Sequence, residues 1–143
     1  AIAQGGTSVE PQEACILVVE DNPDNLLVVQ DLLTLAGVRQ IVAQRTGAQA
    51  IATAVALPRI DLILLDLQLP NDDGYATLHQ LRQHPHLQHV PVVAVTANVL
   101  PDNEHRARTA GFNGFIGKPL DFDQFPQQIY RLLQGEEVWQ ARP

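Results

Sequence analysis

The sequence predicts an α/β domain built on an open parallel sheet with helices on both faces, and three observations carry that expectation. Short, nearly unbroken apolar runs recur at Cys15–Val19, Ile41–Ala43, Leu62–Leu65, Pro91–Val95 and Phe115–Gly117; such runs, without polar alternation, suit strands covered on both sides. Longer segments with helical spacing separate them, which implies parallel pairing through right-handed crossovers. Four of the five runs lead into a polar residue able to bind charge, namely Glu20-Asp21, Asp66, Thr96 and Lys118. In sheets of this kind the ligand site lies beyond the carboxyl ends of the strands, so these residues are expected on one rim.

Each element has its own signals. Residues 1–13, rich in Gly, Gln, Ser and Pro, read as a flexible leader, with order beginning near Ala14. After the first strand, Asn22 can cap free amides and Pro23 suits the first helical position. Leu26, Leu27, Val29, Leu32, Leu33 and Ala36 form the apolar stripe of that helix, and Gly37 ends it. The second helix, Gly47 to Ala56, is Ala-rich and stops before Pro58. Asn71, Asp72 and Asp73 build the turn after the central strand. A helix from about Tyr75 to Gln83 then carries Leu78 and Leu81 inward. Pro101 opens the fourth helix with Asp102 and Glu104 in its first turn, where acidic groups favour the positive end of the dipole, and Gly111 closes it. Asp121 with Gln124 resembles a capping box for a last helix over Phe122 to Leu133, which Gly135 stops.

At 143 residues and 45% apolar content the chain is one domain long, with material for a real core and no internal repeat. Its net charge of -7 works against nucleic acid or an anionic membrane as the main partner and favours a protein or a small cation. The single cysteine, Cys15, lies in an apolar run, so no disulfide framework exists and a reducing, cytoplasmic setting is the expectation. No apolar stretch approaches the length that spans a bilayer. Only residues 135–143 follow the last helix, too few for an output domain. The chain therefore reads as a stand-alone unit or one excised from a larger protein.

Asp66 ends a hydrophobic strand, where a carboxylate is costly unless a cation or hydrogen-bond donors receive it. Taken alone it could merely cap the following loop, just as Lys118 alone reads as a surface lysine and Thr96 as an ordinary strand residue. Together they form a chemistry. Three carboxylates at one edge call for a hard divalent cation, and magnesium keeps several waters while leaving room for a phosphate oxygen. With an ammonium from Lys118 and a hydroxyl from Thr96, the set is what phosphoryl transfer to Asp66 requires.

With those residues placed, the chain resembles the receiver domain of two-component response regulators from Ala14 to Gln134. The matching pieces are Val19-Glu20-Asp21-Asn22, Leu65-Asp66-Leu67-Gln68-Leu69-Pro70, Gly74, Thr96-Ala97 and Gly117-Lys118-Pro119. The resemblance implies a flavodoxin-like three-layer α/β/α sandwich whose five strands run in the order 2-1-3-4-5 with five helices, a receiver unit over residues 14–134 and a short tail over 135–143. It makes Asp66 the phosphoacceptor for a phosphohistidine on a histidine kinase or a histidine phosphotransfer domain. Magnesium would be held by Asp21, Asp66 and the backbone carbonyl of Gln68, with Glu20 acting through a water. Lys118 would pair first with Asp66 and then with the phosphoryl oxygens, beside a cis bond to Pro119. Thr96 and Phe115 would form the switch: phosphate draws the Thr96 hydroxyl, and Phe115 turns inward. The face made by the fourth helix, fifth strand and fifth helix would change for a downstream protein target, and a phosphorylation-linked dimer is compatible with this. Self-phosphorylation and slow autodephosphorylation would be the only catalysis. Many relatives carry Tyr at the place of Phe115, whose ring has no hydroxyl.

Several residues compete with this picture or stand outside it. Phe115 also reads as plain core. His84, His86 and His89 are expected in a solvated loop, since no spacing fixes them on one face. The side chains of Gln68 and Asn98 correspond to positions that border the acyl phosphate in the family. Val138 and Trp139 could anchor the tail on the domain or on a partner. A phosphohydrolase of the haloacid-dehalogenase type needs a carboxylate two positions after its nucleophile, where Gln68 stands here. A phosphorylation-independent interaction module would be expected to lose Asp66, Lys118 or the acidic pair, and all are present. An FMN-binding flavodoxin needs a Gly, Ser and Thr phosphate cradle where this chain is acidic.

Overall fold

The computed structural model describes residues 8–139. The strands are β1 (Cys15–Val19), β2 (Gln40–Gln44), β3 (Leu62–Asp66), β4 (Val92–Thr96), β5 (Gly114–Gly117) and β6 (Val138–Trp139). The helices are α1 (Pro23–Leu35), α2 (Gly47–Ala56), α3 (Gly74–Arg82), α4 (Pro101–Ala110) and α5 (Gln124–Leu133). All strand pairs are parallel, in the order β2-β1-β3-β4-β5-β6. This is the flavodoxin-like arrangement, with one strand more than the five expected. The addition has a physical reason. Gly135 turns the chain at φ 92°, Val138 is then buried, and two residues are too few to show any period in the sequence.

Alternation along the strands sorts the core into two layers. Ile16, Val18, Leu62, Leu64, Val93, Val95 and Ile116 face α1 and α5, meeting Val29, Leu32, Leu33, Phe125, Ile129 and Leu132. Leu17, Val19, Ile63, Leu65, Val92, Ala94 and Phe115 face α2, α3 and α4, meeting Ala50, Ala54, Leu78, Leu81 and Ala107. The same parity carried past the strand ends sends Glu20, Asp66 and Lys118 towards the α1/α5 layer and Thr96 towards the other. A large-to-small change at any of the fully buried leucines would cost about 2–5 kcal/mol.

The caps form largely as the residue types dictate. Asn22 Oδ1 accepts from the amides of Asp24 and Asn25 at 2.9 and 3.0 Å, and Asp73 Oδ1 from Tyr75 at 2.9 Å, contacts worth about 1 kcal/mol each. Asp121 Oδ1 accepts from Asp123 and Gln124 at 2.8 and 2.9 Å and its carbonyl from Phe125 N at 2.8 Å, the capping expected there, while the regular turns of α5 run from Gln124, two residues past the exposed Phe122. Leu27 also departs from expectation. It is 58% exposed because it lies two residues, roughly 200° of helix, before Val29 at the centre of the buried stripe.

Residues 1–7 of the expected leader lie outside the described residues. From residue 8 the chain packs on the domain: Val9 N donates to the Leu133 carbonyl at 2.9 Å, Ser8 Oγ donates to Gln134 Oε1 at 2.6 Å, and Pro11 is buried. No helix among the described residues is long and apolar enough to cross a membrane.

Candidate functional site: an acidic rim at the carboxyl ends of the strands

β1 and β3 are adjacent, so the residues that leave them, Glu20-Asp21 and Asp66, are brought side by side. Glu20, Asp21 and Asp66 each offer a carboxylate oxygen, and the three lie within 4.8 Å of one another. Among the described residues this is the one group of three or more metal-capable side chains. Glu20 and Asp66 are buried, at 3% and 5% exposure, while Asp21 is half-buried.

Lys118 reaches this group from beyond β5. Its Nζ donates to Glu20 Oε1 at 3.0 Å and to Asp66 Oδ2 at 3.1 Å, across 98 and 52 residues of chain. The Lys118 amide donates to the Thr96 carbonyl at 2.9 Å, which ties the base of the side chain to the end of β4. The Lys118–Pro119 bond is cis, as the resemblance implied.

The remaining acceptor positions are partly filled by backbone. Asp66 Oδ1 accepts from Gln68 N at 2.8 Å, and Glu20 Oε2 from Asn22 N at 3.2 Å. Burial pushes the Glu20 carboxyl above its ordinary range; hydrogen bonds from Lys118 and Asn22 oppose this, and the charge of Asp66 adds to it. Burial alone would lower the Lys118 ammonium, but the Glu20 hydrogen bond and the Asp66 charge outweigh it, and its pKa is raised. Three carboxylates against one ammonium leave an excess of negative charge at the rim. That donor set, all oxygen and incomplete as a cage, fits a hard divalent ion that keeps its own waters.

Thr96 is buried at 3% exposure, and its Oγ1 accepts from Asn98 N at 3.1 Å. Phe115 is fully buried in the α2/α3/α4 layer. Gln68 is exposed at the mouth. Its side chain makes a contact that sequence reasoning missed: Oε1 accepts from Ala97 N at 3.0 Å, clasping the loop after β3 to the loop after β4. Asp72, expected only to build a turn, accepts from Gly47 N at 3.2 Å and so fixes the loop after β3 to the start of α2. No sequence signal separates these two side chains from other loop polar residues. His86 and His89 are exposed and His84 half-buried, outside the acidic group.

Comparison with known proteins gives a consistent picture. A family model described as "Response regulator receiver domain" matches residues 16–130. The polar-differentiation response regulator DivK of Brucella anthropi is 36% identical over 118 residues, which cover 82% of this chain and 94% of that protein. A probable cyclic di-GMP phosphodiesterase of Vibrio cholerae is 32% identical over 130 residues, 90% of this chain; the chain spans only 29% of that relative's length. Among solved structures, the receiver domain of a sensor histidine kinase from Pseudomonas aeruginosa, with a magnesium ion coordinated in its active-site cleft, is 34% identical with a TM-score of 0.75. That match covers 86% of this chain and 98% of that one.

Proposed function

The chain belongs to the response regulator receiver domain family, and from that premise we propose that it accepts a phosphoryl group on Asp66 from a histidine kinase or histidine phosphotransfer domain. The observation that carries this reading is Lys118 Nζ held between Glu20 and Asp66 beside the three clustered carboxylates. An Asp66 oxygen attacks the phosphorus of a phosphohistidine, the new O–P bond forms as the P–N bond breaks, and the imidazole nitrogen takes up a proton.

Asp21, Asp66 and the Gln68 carbonyl would hold magnesium, with Glu20 acting through a water, and the ion would supply positive charge to offset that of the rim and of an incoming phosphoryl group. Lys118 releases Asp66 Oδ2 and takes up a phosphoryl oxygen in its place. Thr96, whose hydroxyl already accepts from Asn98 N and so has its own proton to give, donates to another. Thr96 and Phe115 then alter the α4–β5–α5 face for a downstream protein, or for a second copy in a phosphorylation-linked dimer. The receiver unit over residues 14–134 is extended by the packed residues 8–13 and by β6, in a cytoplasmic protein whose catalysis is limited to self-phosphorylation and slow autodephosphorylation.

The hydrolase alternative is disfavoured by Gln68, which holds the Ala97 amide where an acid–base carboxylate would be needed. The phosphorylation-independent alternative is disfavoured by the intact acidic set with its lysine. Incubation with acetyl phosphate and magnesium should add one phosphoryl group by intact-mass spectrometry, and Asp66→Asn should abolish the gain. An unchanged mass for the wild type, under conditions that label other receivers, would overturn the reading.

A further inference from the structure

β6 closes the edge of β5. Val138 pairs with Gly114 and Trp139 with Phe115 in parallel register. Val138 is 3% exposed in the α1/α5 layer, and the half-buried Trp139 packs against the layer that holds Ala107, Phe112 and Phe115. The Arg108 guanidinium of α4 lies 4.3 Å from the centroid of the Trp139 ring, a cation–π contact, and Trp139 Nε1 donates to Glu137 Oε1 at 3.0 Å. The turn that delivers the segment is also tied down. Glu136 N donates to the Arg131 carbonyl at 3.0 Å, and the Arg131 guanidinium pairs with the Glu136 carboxylate at 3.0 Å. Gly114 leaves the room that the segment needs, since a Cβ there would stand 2.8 Å from the Val138 carbonyl oxygen. Contacts from α4, β5 and α5 thus converge on four residues of tail.

Resting on the reading of Thr96 and Phe115 as the switch, we propose that Glu136–Trp139 is a resident strap that occupies the α4–β5–α5 face and holds Phe115 buried. Paired residues of neighbouring strands project to the same face of a sheet, so Trp139 stands between Phe115 and the open edge. A docked strap and a phosphorylated Asp66 favour the same position of Phe115, and two events that favour one state must reinforce each other reciprocally. Releasing the strap therefore makes Asp66 harder to phosphorylate. A partner that reaches for the edge of β5 must first displace Trp139.

Trp139 is the sole tryptophan, so acrylamide quenching of the full chain reads the strap directly. Wild-type Trp139 should be shielded, and Val138→Asp, which puts an unpaired carboxylate in the strap's buried seat, should make it quench as an exposed indole does. Arg108→Ala, at an exposed position on α4, should give an intermediate result and carries the test should Val138→Asp fail to fold. At limiting acetyl phosphate with magnesium, the phosphorylated fraction of a strap-released variant should fall about fivefold. Equal quenching of wild type and both variants would overturn the strap, and equal phosphorylated fractions would overturn its hold on Phe115. No mass gain in the wild type would instead overturn the phosphoacceptor reading, leaving the strap to be judged on quenching.

Discussion

The two rims of the sheet treat charge in opposite ways. At the amino ends of the strands the charged groups Arg59, Asp61 and Arg82 close on structural partners. Asp61 Oδ2 accepts from Cys15 N at 2.8 Å and pairs with Arg59 at 3.0 Å. The half-buried Arg82 donates to the carbonyls of Leu87 and Val90 at 2.9 and 2.7 Å and to Asn113 Oδ1 at 2.8 Å, while Asn113 Oδ1 also accepts from Val92 N. At the carboxyl ends three carboxylates cluster and only two of them, Glu20 and Asp66, pair with the single ammonium of Lys118. No buried side-chain nitrogen or oxygen among the described residues lacks a hydrogen bond, so the carboxyl-end rim is satisfied in geometry but unbalanced in charge. The difference separates two uses of polar groups: one rim staples chain segments together, and the other holds charge in excess for a ligand to neutralise.

Three perturbations can break or sharpen that contrast. Arg82→Ala orphans two loop carbonyls and part of Asn113, and should lower stability in urea by ~3 kcal/mol. Its magnesium response and Asp66 phosphorylation should survive; their loss would mean that the rims are not separable. Magnesium at ten times its dissociation constant should stabilise the wild type by about 1.4 kcal/mol in thermal or urea unfolding. Asp21→Asn should shrink that gain and Arg82→Ala should not.

The smallest effect concerns pH without divalent ions. Burial raises the folded-state pKa of Glu20 above its ordinary value of 4.5, so the folded chain holds that proton to higher pH than the unfolded chain does. The corresponding contribution to stability is full below about 4.5 and is lost as pH rises through the raised folded value. Glu20→Gln should remove this slope, and an unchanged profile would show that Glu20 is not strained at the rim. Lys118, also raised, keeps its contribution below its ordinary 10.5 and loses it only as pH climbs through the higher folded value, so it cannot supply the same slope.

Much of this molecule is legible along the chain because its signals are local. A short unbroken apolar run, a period of 3.6 residues, an Asn or Asp before a helix and a carboxylate at the end of an apolar run each report on a few neighbouring residues. Those few suffice for the strands, most helix starts and the residues of the acidic rim. Where several neighbours supply the same kind of side chain, the reading fails. Leu27 and Val29 are equally apolar, and only the seat of α1 on the sheet decides which is buried.

Contacts between distant segments are decided by tertiary structure alone. The clasp of Gln68 on Ala97, the staple of Arg82 on Asn113 and the pairing of Trp139 beside Phe115 join residues whose types and spacing carry no mutual signal. The sequence by itself determined which side chains arrive at the charged rim, because each one ends a strand or directly follows one. Only the packed sheet decided the distances between them, and that the tail adds a sixth strand, because those outcomes depend on how crossovers of many residues bring separate strand ends together.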